Sequence, residues 1–246
     1  MTETMTVNQT TSKKGIPGST LKLIAIITMF IDHTGAVILE RMPMEHGILV
    51  LDVIFRLIGR LGFPIFCFLL IEGFMHTRNV WKYAFRLLLF AFISELPFNL
   101  AFMGSLFYKN YQNVFFTLFL GLCALITIKF IEEKFSQKAW LKYLLIIPAT
   151  IVFMVIANLL KTDYSEMGVL TIVVMYLLRK NKVLEMTAGC IILNIMSLTE
   201  ITAFFTIIPV SKYNGERGLN LKYVFYAFYP VHLLILYFIA YLMGIA

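Results

Sequence analysis

From Leu21 to Leu242 the chain is an almost unbroken succession of apolar runs, most of them long enough to cross a roughly 30 Å hydrocarbon core as helix. Few folds accept such a sequence. Inside a bilayer no water satisfies the backbone, so spanning segments are helices or closed barrels. The runs are continuous rather than alternating, which argues against a barrel. The expected fold is therefore all-α, a polytopic integral membrane protein with eight to ten transmembrane helices, some broken or short. Composition agrees: 60% of residues are hydrophobic and 14% charged, and the mean hydropathy of +0.84 lies well above that of a soluble domain.

Hydropathy and chain breakers place candidate spans at 21–40, 47–76, 82–103, 113–131, 141–160, 166–178, 183–198, 199–210 and 222–244. The short ones between 166 and 210 are open to being half-helices. Residues 1–19, polar and rich in Thr and Ser, read as a disordered cytoplasmic tail. The apolar run after them is of full span length, so no cleavable signal peptide is expected. Residues 20–246 then form a single transmembrane domain.

Loop charge sets the orientation, because Lys and Arg collect on the cytoplasmic side. With the N-terminus inside, sixteen basic residues flank the inner ends of the spans and only Arg41, Lys109 and Lys161 flank the outer ends. The expectation is a multi-pass protein of the cytoplasmic membrane with a cytoplasmic N-terminus. The net charge of +7 is thus a topology signal, and nucleic acid is not an expected partner. Cys67, Cys123 and Cys190 lie singly in apolar runs and read as small buried residues, without a disulfide framework or a metal site.

The two remaining basic residues, Arg56 and Arg60, sit inside the second span. As one straight helix, residues 47–76 would measure about 45 Å. Gly59, Gly62 and Pro64 in GRLGFP invite a break there. Broken membrane helices are tolerated where the freed backbone lines a cavity. Asp52, Arg56 and Arg60 share one face at i, i+4 and i+8. Either Asp52 and Arg56 form a structural pair, or the face serves a site, and Arg60 is left over in both cases. A surplus buried guanidinium wants a carboxylate, a phosphate or a developing negative charge.

Ionisable groups within a span are costly and mark function by default. Asp32 and His33 interrupt the first span, with His33 about 18 Å along it from Leu21 and at a depth comparable to that of Arg60. A neutral imidazole in a partly dry cavity is suited to general-base work. Asp32 is about 100° around the helix and would orient a ring only by way of another helix. Glu72, Glu95 and Glu200 read first as partners for arginines or helix ends, with Glu95 and Pro97 suggesting a second broken helix. In the last third, YNGERG (Tyr213 to Gly218) reads either as an ordinary turn or as a loop offering backbone N–H groups and Arg217 to an anion. FYPVHL (Phe228 to Leu233) brings a second intramembrane histidine, His232.

FIDHTG, GRLGFPIFCFLLIEGF with a following HTRN, SELPFN, QNVFFTLFLGL, KTDYSEMGV, YNGERG and FYPVHL occur in that order along almost the whole chain. Together they resemble the TraX family, whose name-giving member is implicated in N-terminal acetylation of conjugative pilin. The family in turn resembles transmembrane acyltransferases, among them the acyltransferase-3 enzymes and the lysosomal heparan glucosaminide acetyltransferase. In the acyltransferase-3 group an arginine precedes a first-span histidine by eleven positions; Lys22 stands in that relation to His33. Lys does not reproduce a bidentate arginine contact.

The resemblance implies a membrane-embedded acyltransferase using cytoplasmic acetyl-CoA, with no metal. The acceptor would be a protein N-terminus, a surface glycan or a small molecule, reached in the presence of membrane lipid. His33 is the expected general base, with Asp32 orienting it and Arg60 stabilising developing negative charge. Lys22, Arg56, Asn214, Arg217, Tyr229 and His232 are the expected cofactor-binding residues. The rival class is a transporter or flippase using the same His, Asp and Arg groups as a proton relay or anion path. Against it, the broken segments do not recur in matching halves.

Overall fold

The structure is a computed structural model describing residues 14–43, 45–220 and 222–246. The tail expected over 1–19 lies outside the described residues as far as residue 13. After it, Ile16 pairs with Tyr213, and the first helix, α1 (Gly18–Val37), is already under way before residue 20.

Nine further helices follow among the described residues: α2 (His46–Gly59), α3 (Gly62–His76), α4 (Val80–Met103), α5 (Val114–Lys134), α6 (Ala139–Leu159), α7 (Ser165–Leu178), α8 (Lys182–Met196), α9 (Ile207–Ser211) and α10 (Lys222–Leu242). A 3-10 stretch, Leu198–Thr206, leads into α9. The chain is thus a multi-pass α-helical membrane protein, with six segments long and apolar enough to span among the described residues. The short candidates resolve as half-length pieces. α7 has 14 residues and α8 has 15, each about 21 to 23 Å of helix and short of a full crossing.

α1 is the hub of the site, packed on α2, α3 and α10, and α10 also lies along α4. α6 stands at the periphery and turns Trp140, Leu144, Ile147, Ile151 and Val155 outward, as a lipid-facing helix does.

The GRLGFP break is present. α2 ends at Gly59, Arg60 and Leu61 make the turn, and Pro64 sits in the first turn of α3, where its missing N–H costs nothing. The freed carbonyl of Arg56 accepts from Arg60 Nε at 3.1 Å. Gly59 is required by proximity, because a Cβ there would overlap the Asp32 side chain.

The second break, expected at Glu95 and Pro97, is absent: α4 runs continuously through Pro97. Asn113 absorbs the polar groups of that region, its amide donating to Ala91 O (2.8 Å) and Glu95 Oε2 (2.6 Å) while its Oδ1 caps α5. The spot is a clamp between a helix and the following loop.

Candidate active site

α1 and α10 bring the two intramembrane histidines together. His33 Nδ1 and His232 Nε2 are 2.7 Å apart, and the rings are parallel to within 9°. His232 Nδ1 lies 2.7 Å from Phe228 O, one turn back on its own helix. Phe102 and Tyr229 stand edge-on against His33 at 5.3 and 5.9 Å, fixing the ring laterally. With Nδ1 engaged, His33 turns Nε2 toward Asp32, 3.9 Å from Oδ2.

Asp32 holds both arginines of the broken helix. Its Oδ2 accepts from Arg56 Nη1 at 2.8 Å and its Oδ1 from Arg60 Nη2 at 3.2 Å. The residue that orients the His33 ring by hydrogen bonding is therefore His232, while Asp32 organises the guanidiniums. The Asp52–Arg56 pairing does not form; Arg56 reaches Asp32 and, at 3.4 Å, Glu40. Nor is Arg60 surplus, because its Nη1 donates at 3.0 Å to Glu200, a fully buried acid on the 3-10 stretch. The physical reason is depth: a guanidinium and two carboxylates removed from water persist only as a hydrogen-bonded set.

Two loops close the chamber from the far end of the bundle. Tyr111 OH donates to Asp163 Oδ1 at 2.8 Å, and the Tyr164 N–H donates to the same oxygen at 3.1 Å. The loops are tied by the Asp163 N–H to Gln112 O and the Gln112 N–H to Lys161 O, and Thr117 donates to the Asp163 carbonyl. Lys161, Tyr164 and Ser165 all adopt positive φ, at 53°, 59° and 43°. For non-glycine residues such backbone costs on the order of 1 kcal/mol or more each and persists where packing over-determines it. Here the Tyr164 ring lies flat on Phe63 at 3.7 Å. Burial pushes the Asp163 carboxyl up to about 6, against the pull of the Tyr111 hydrogen bond and Arg60. Burial likewise raises the Tyr164 phenol.

These groups enclose a chamber of about 100 Å³ lined by Asp32, His33, Arg56, Arg60, Tyr111, Asp163, Tyr164 and Tyr229. A second cavity of about 680 Å³ opens at the end of the bundle where α1 begins, lined by Lys22, Arg78, Arg86, Arg217, Tyr213 and Phe225 among others. Phe66 borders both. The residues expected to bind a cofactor thus divide. Lys22 and Arg217 line the large cavity, whereas Arg56 and Tyr229 line the chamber and His232 backs it through His33.

Asn214 neighbours the large cavity but acts in its turn, its Oδ1 accepting from the Glu216 N–H at 2.9 Å. The YNGERG backbone is engaged in the fold: Glu216 O and Arg217 O accept from Gly18 and Ser19 at the start of α1, and the Asn214 N–H donates to Ile16 O. Gly215 and Gly218 supply the left-handed φ of 82° and 68° this path requires. Among the described residues no cluster of three or more His, Cys, Asp or Glu side chains could hold a metal.

Reading residues by span did not find Tyr111, Asp163 or Tyr164, because they lie in loops. The signal available was KTDYSEMGV itself, an acid and a tyrosine in a short polar gap between two apolar runs.

A broken-helix membrane bundle enclosing a histidine pair and an arginine–carboxylate network defines the class. Residues 17–240 match the TraX protein family, and the chain belongs to it. It is 31% identical over 237 residues to a probable fimbrial assembly protein FimC, serogroup H1, from Dichelobacter nodosus, over 88% of this chain and 92% of the relative. No solved structure matches.

Proposed function

We propose that the chain is a membrane-embedded acyltransferase that moves an acetyl group from acetyl-CoA, taken up at the basic, cytoplasmic end, to an amine or hydroxyl acceptor. The observation that carries this reading is a shared wall: Phe66 borders both a roomy basic vestibule and the small chamber that holds His33 and two guanidiniums. A phosphate-rich ligand fits the vestibule. Lys22, Arg78, Arg86 and Arg217 take part in no ion pair among the described residues, and the buried Arg86 Nε has no hydrogen-bond partner. Glu72 also lines the vestibule but pairs with His76, and cations not paired to a carboxylate suit phosphate oxygens.

When bound, acetyl-CoA supplies an activated thioester. His33 Nε2 takes the proton of the acceptor, Arg56 and Arg60 offset the negative charge that develops beside them, and the aromatic wall of Phe63, Phe102 and Tyr229 limits water. The likeness to a probable fimbrial assembly protein of D. nodosus supports a pilin-like N-terminus as the acceptor.

The test uses detergent-purified protein. CoA raises the thermal midpoint and adenosine alone does not; labelled acetyl-CoA transfers its acetyl group to an acceptor peptide, and His33→Ala abolishes the transfer. Wild-type transfer by His33→Ala would remove the base role. Proton-coupled solute uptake by protein that neither binds CoA nor transfers acetyl would make the chain a transporter.

A further inference from the structure

We infer that His232 is a positioning residue that fixes the tautomer of His33 and receives its proton during turnover, an inference that rests on His33 acting as the base. Phe228 O can only accept, so its 2.7 Å contact with His232 requires a hydrogen on Nδ1. A neutral imidazole carries one ring hydrogen, so His232 Nε2 is left with a lone pair. That lone pair faces His33 Nδ1 at 2.7 Å, which must then be the donor. His33 Nε2 is therefore the basic nitrogen, and it is the one turned toward Asp32 and the chamber. A single backbone carbonyl on α10 sets the protonation of a ring on α1, as the partner of a catalytic histidine commonly does.

The same geometry assigns a place to the transferred proton. As the acceptor N–H or O–H gives its proton to His33 Nε2 and its heteroatom bonds to the acyl carbon, the Nδ1 proton of His33 passes to His232 Nε2. His33 remains neutral with a hydrogen on Nε2, and the positive charge rests on His232. As the C–S bond breaks, the leaving thiolate takes the Nε2 proton and the His232 proton returns to His33 Nδ1.

The transfer moves charge away from a crowded position. Asp32, Arg56, Arg60, Tyr111, Asp163 and Tyr229 line the chamber with His33, and both guanidiniums repel a proton there. Among the described residues His232 meets no charged partner; its nitrogens face His33 and the α10 backbone at Phe228 and Tyr229. The Phe228 ring, stacked at 4.7 Å, faces the imidazole.

Two measurements test this. In lipid-embedded protein labelled with ¹⁵N-histidine, with His33→Ala and His232→Leu used for assignment, both rings should show a protonated Nδ1 and a bare Nε2, joined by an N–H···N coupling. A hydrogen on His33 Nε2 at neutral pH overturns the inference, whatever reaction the protein performs. In the acyl-transfer assay, His232→Gln keeps an acceptor near His33 Nδ1 but takes no proton. Its kcat should fall about 10- to 100-fold at unchanged KM, and that of His232→Leu about 10³- to 10⁴-fold, the range of general acid–base and tautomer defects. Full kcat in His232→Leu, or a defect confined to KM, overturns the inference. Absence of acyl transfer in the wild type would instead defeat the proposed function and leave the tautomer assignment to the nitrogen spectra.

Discussion

Around His33 the charged side chains hold one another, with Asp32 between Arg56 and Arg60 and Arg60 between Asp32 and Glu200. In the vestibule, Lys22, Arg78, Arg86 and Arg217 line about 680 Å³ without an ion pair among the described residues. The difference follows from depth and size. A group in a chamber of about 100 Å³ within the bundle must be neutralised by the protein itself. A cation at the bundle end can keep its charge for a ligand, with water as the stand-in. Substitution should therefore cost stability in the first region and, on the proposed function, ligand binding in the second.

Arg60→Ala should break that contrast most severely. It strands the buried Glu200 carboxylate and leaves Asp32 to Arg56 alone, and removing one partner of such a network costs about 3–5 kcal/mol. Thermal unfolding in detergent should show a large drop in midpoint, partly recovered by adding Glu200→Gln. Gly59→Ala comes next, since the new methyl overlaps Asp32. Overpacking of this kind costs about 1–3 kcal/mol, read as a lower midpoint with the vestibule still binding CoA.

Asp163→Asn sharpens the comparison through pH. The folded carboxyl titrates at about 6 instead of 3.8 because burial disfavours its charged form. Wild-type stability contributed by this group is therefore present at low pH and lost as pH rises from about 4 through 6. The asparagine variant escapes that loss, so its midpoint relative to wild type should be nearly level near pH 4 and rise to a plateau above pH 7, a gain on the order of 3 kcal/mol. A flat difference across that range would contradict the buried carboxylate. The smallest stability effect belongs to the vestibule: Lys22→Ala should change unfolding by no more than about 0.5 kcal/mol while weakening CoA binding roughly tenfold, as loss of one charge-assisted contact does.

How much of this was legible depends on the kind of interaction. Spans, the break at GRLGFP and the need of Asp32, His33 and Arg60 for polar partners follow from local rules, because a bilayer penalises polar groups one residue at a time. The continuity of α4 through Pro97 was hidden, since the clamp that secures it comes from Asn113 in the next loop. The same is true of Glu200, which reads as some arginine's partner without saying whose.

By itself, then, the sequence determined the class of fold, the family and which intramembrane residues needed partners. Only the tertiary structure decided the partners: His232 for His33, Asp32 and Glu200 for the arginines, and a loop carrying Tyr111 beside one carrying Asp163. The cost of burying a charge is a local property that any helix reveals. The relief of that cost comes from residues 24 to 199 positions away in the chain, and only packing brings them within 3 Å or so.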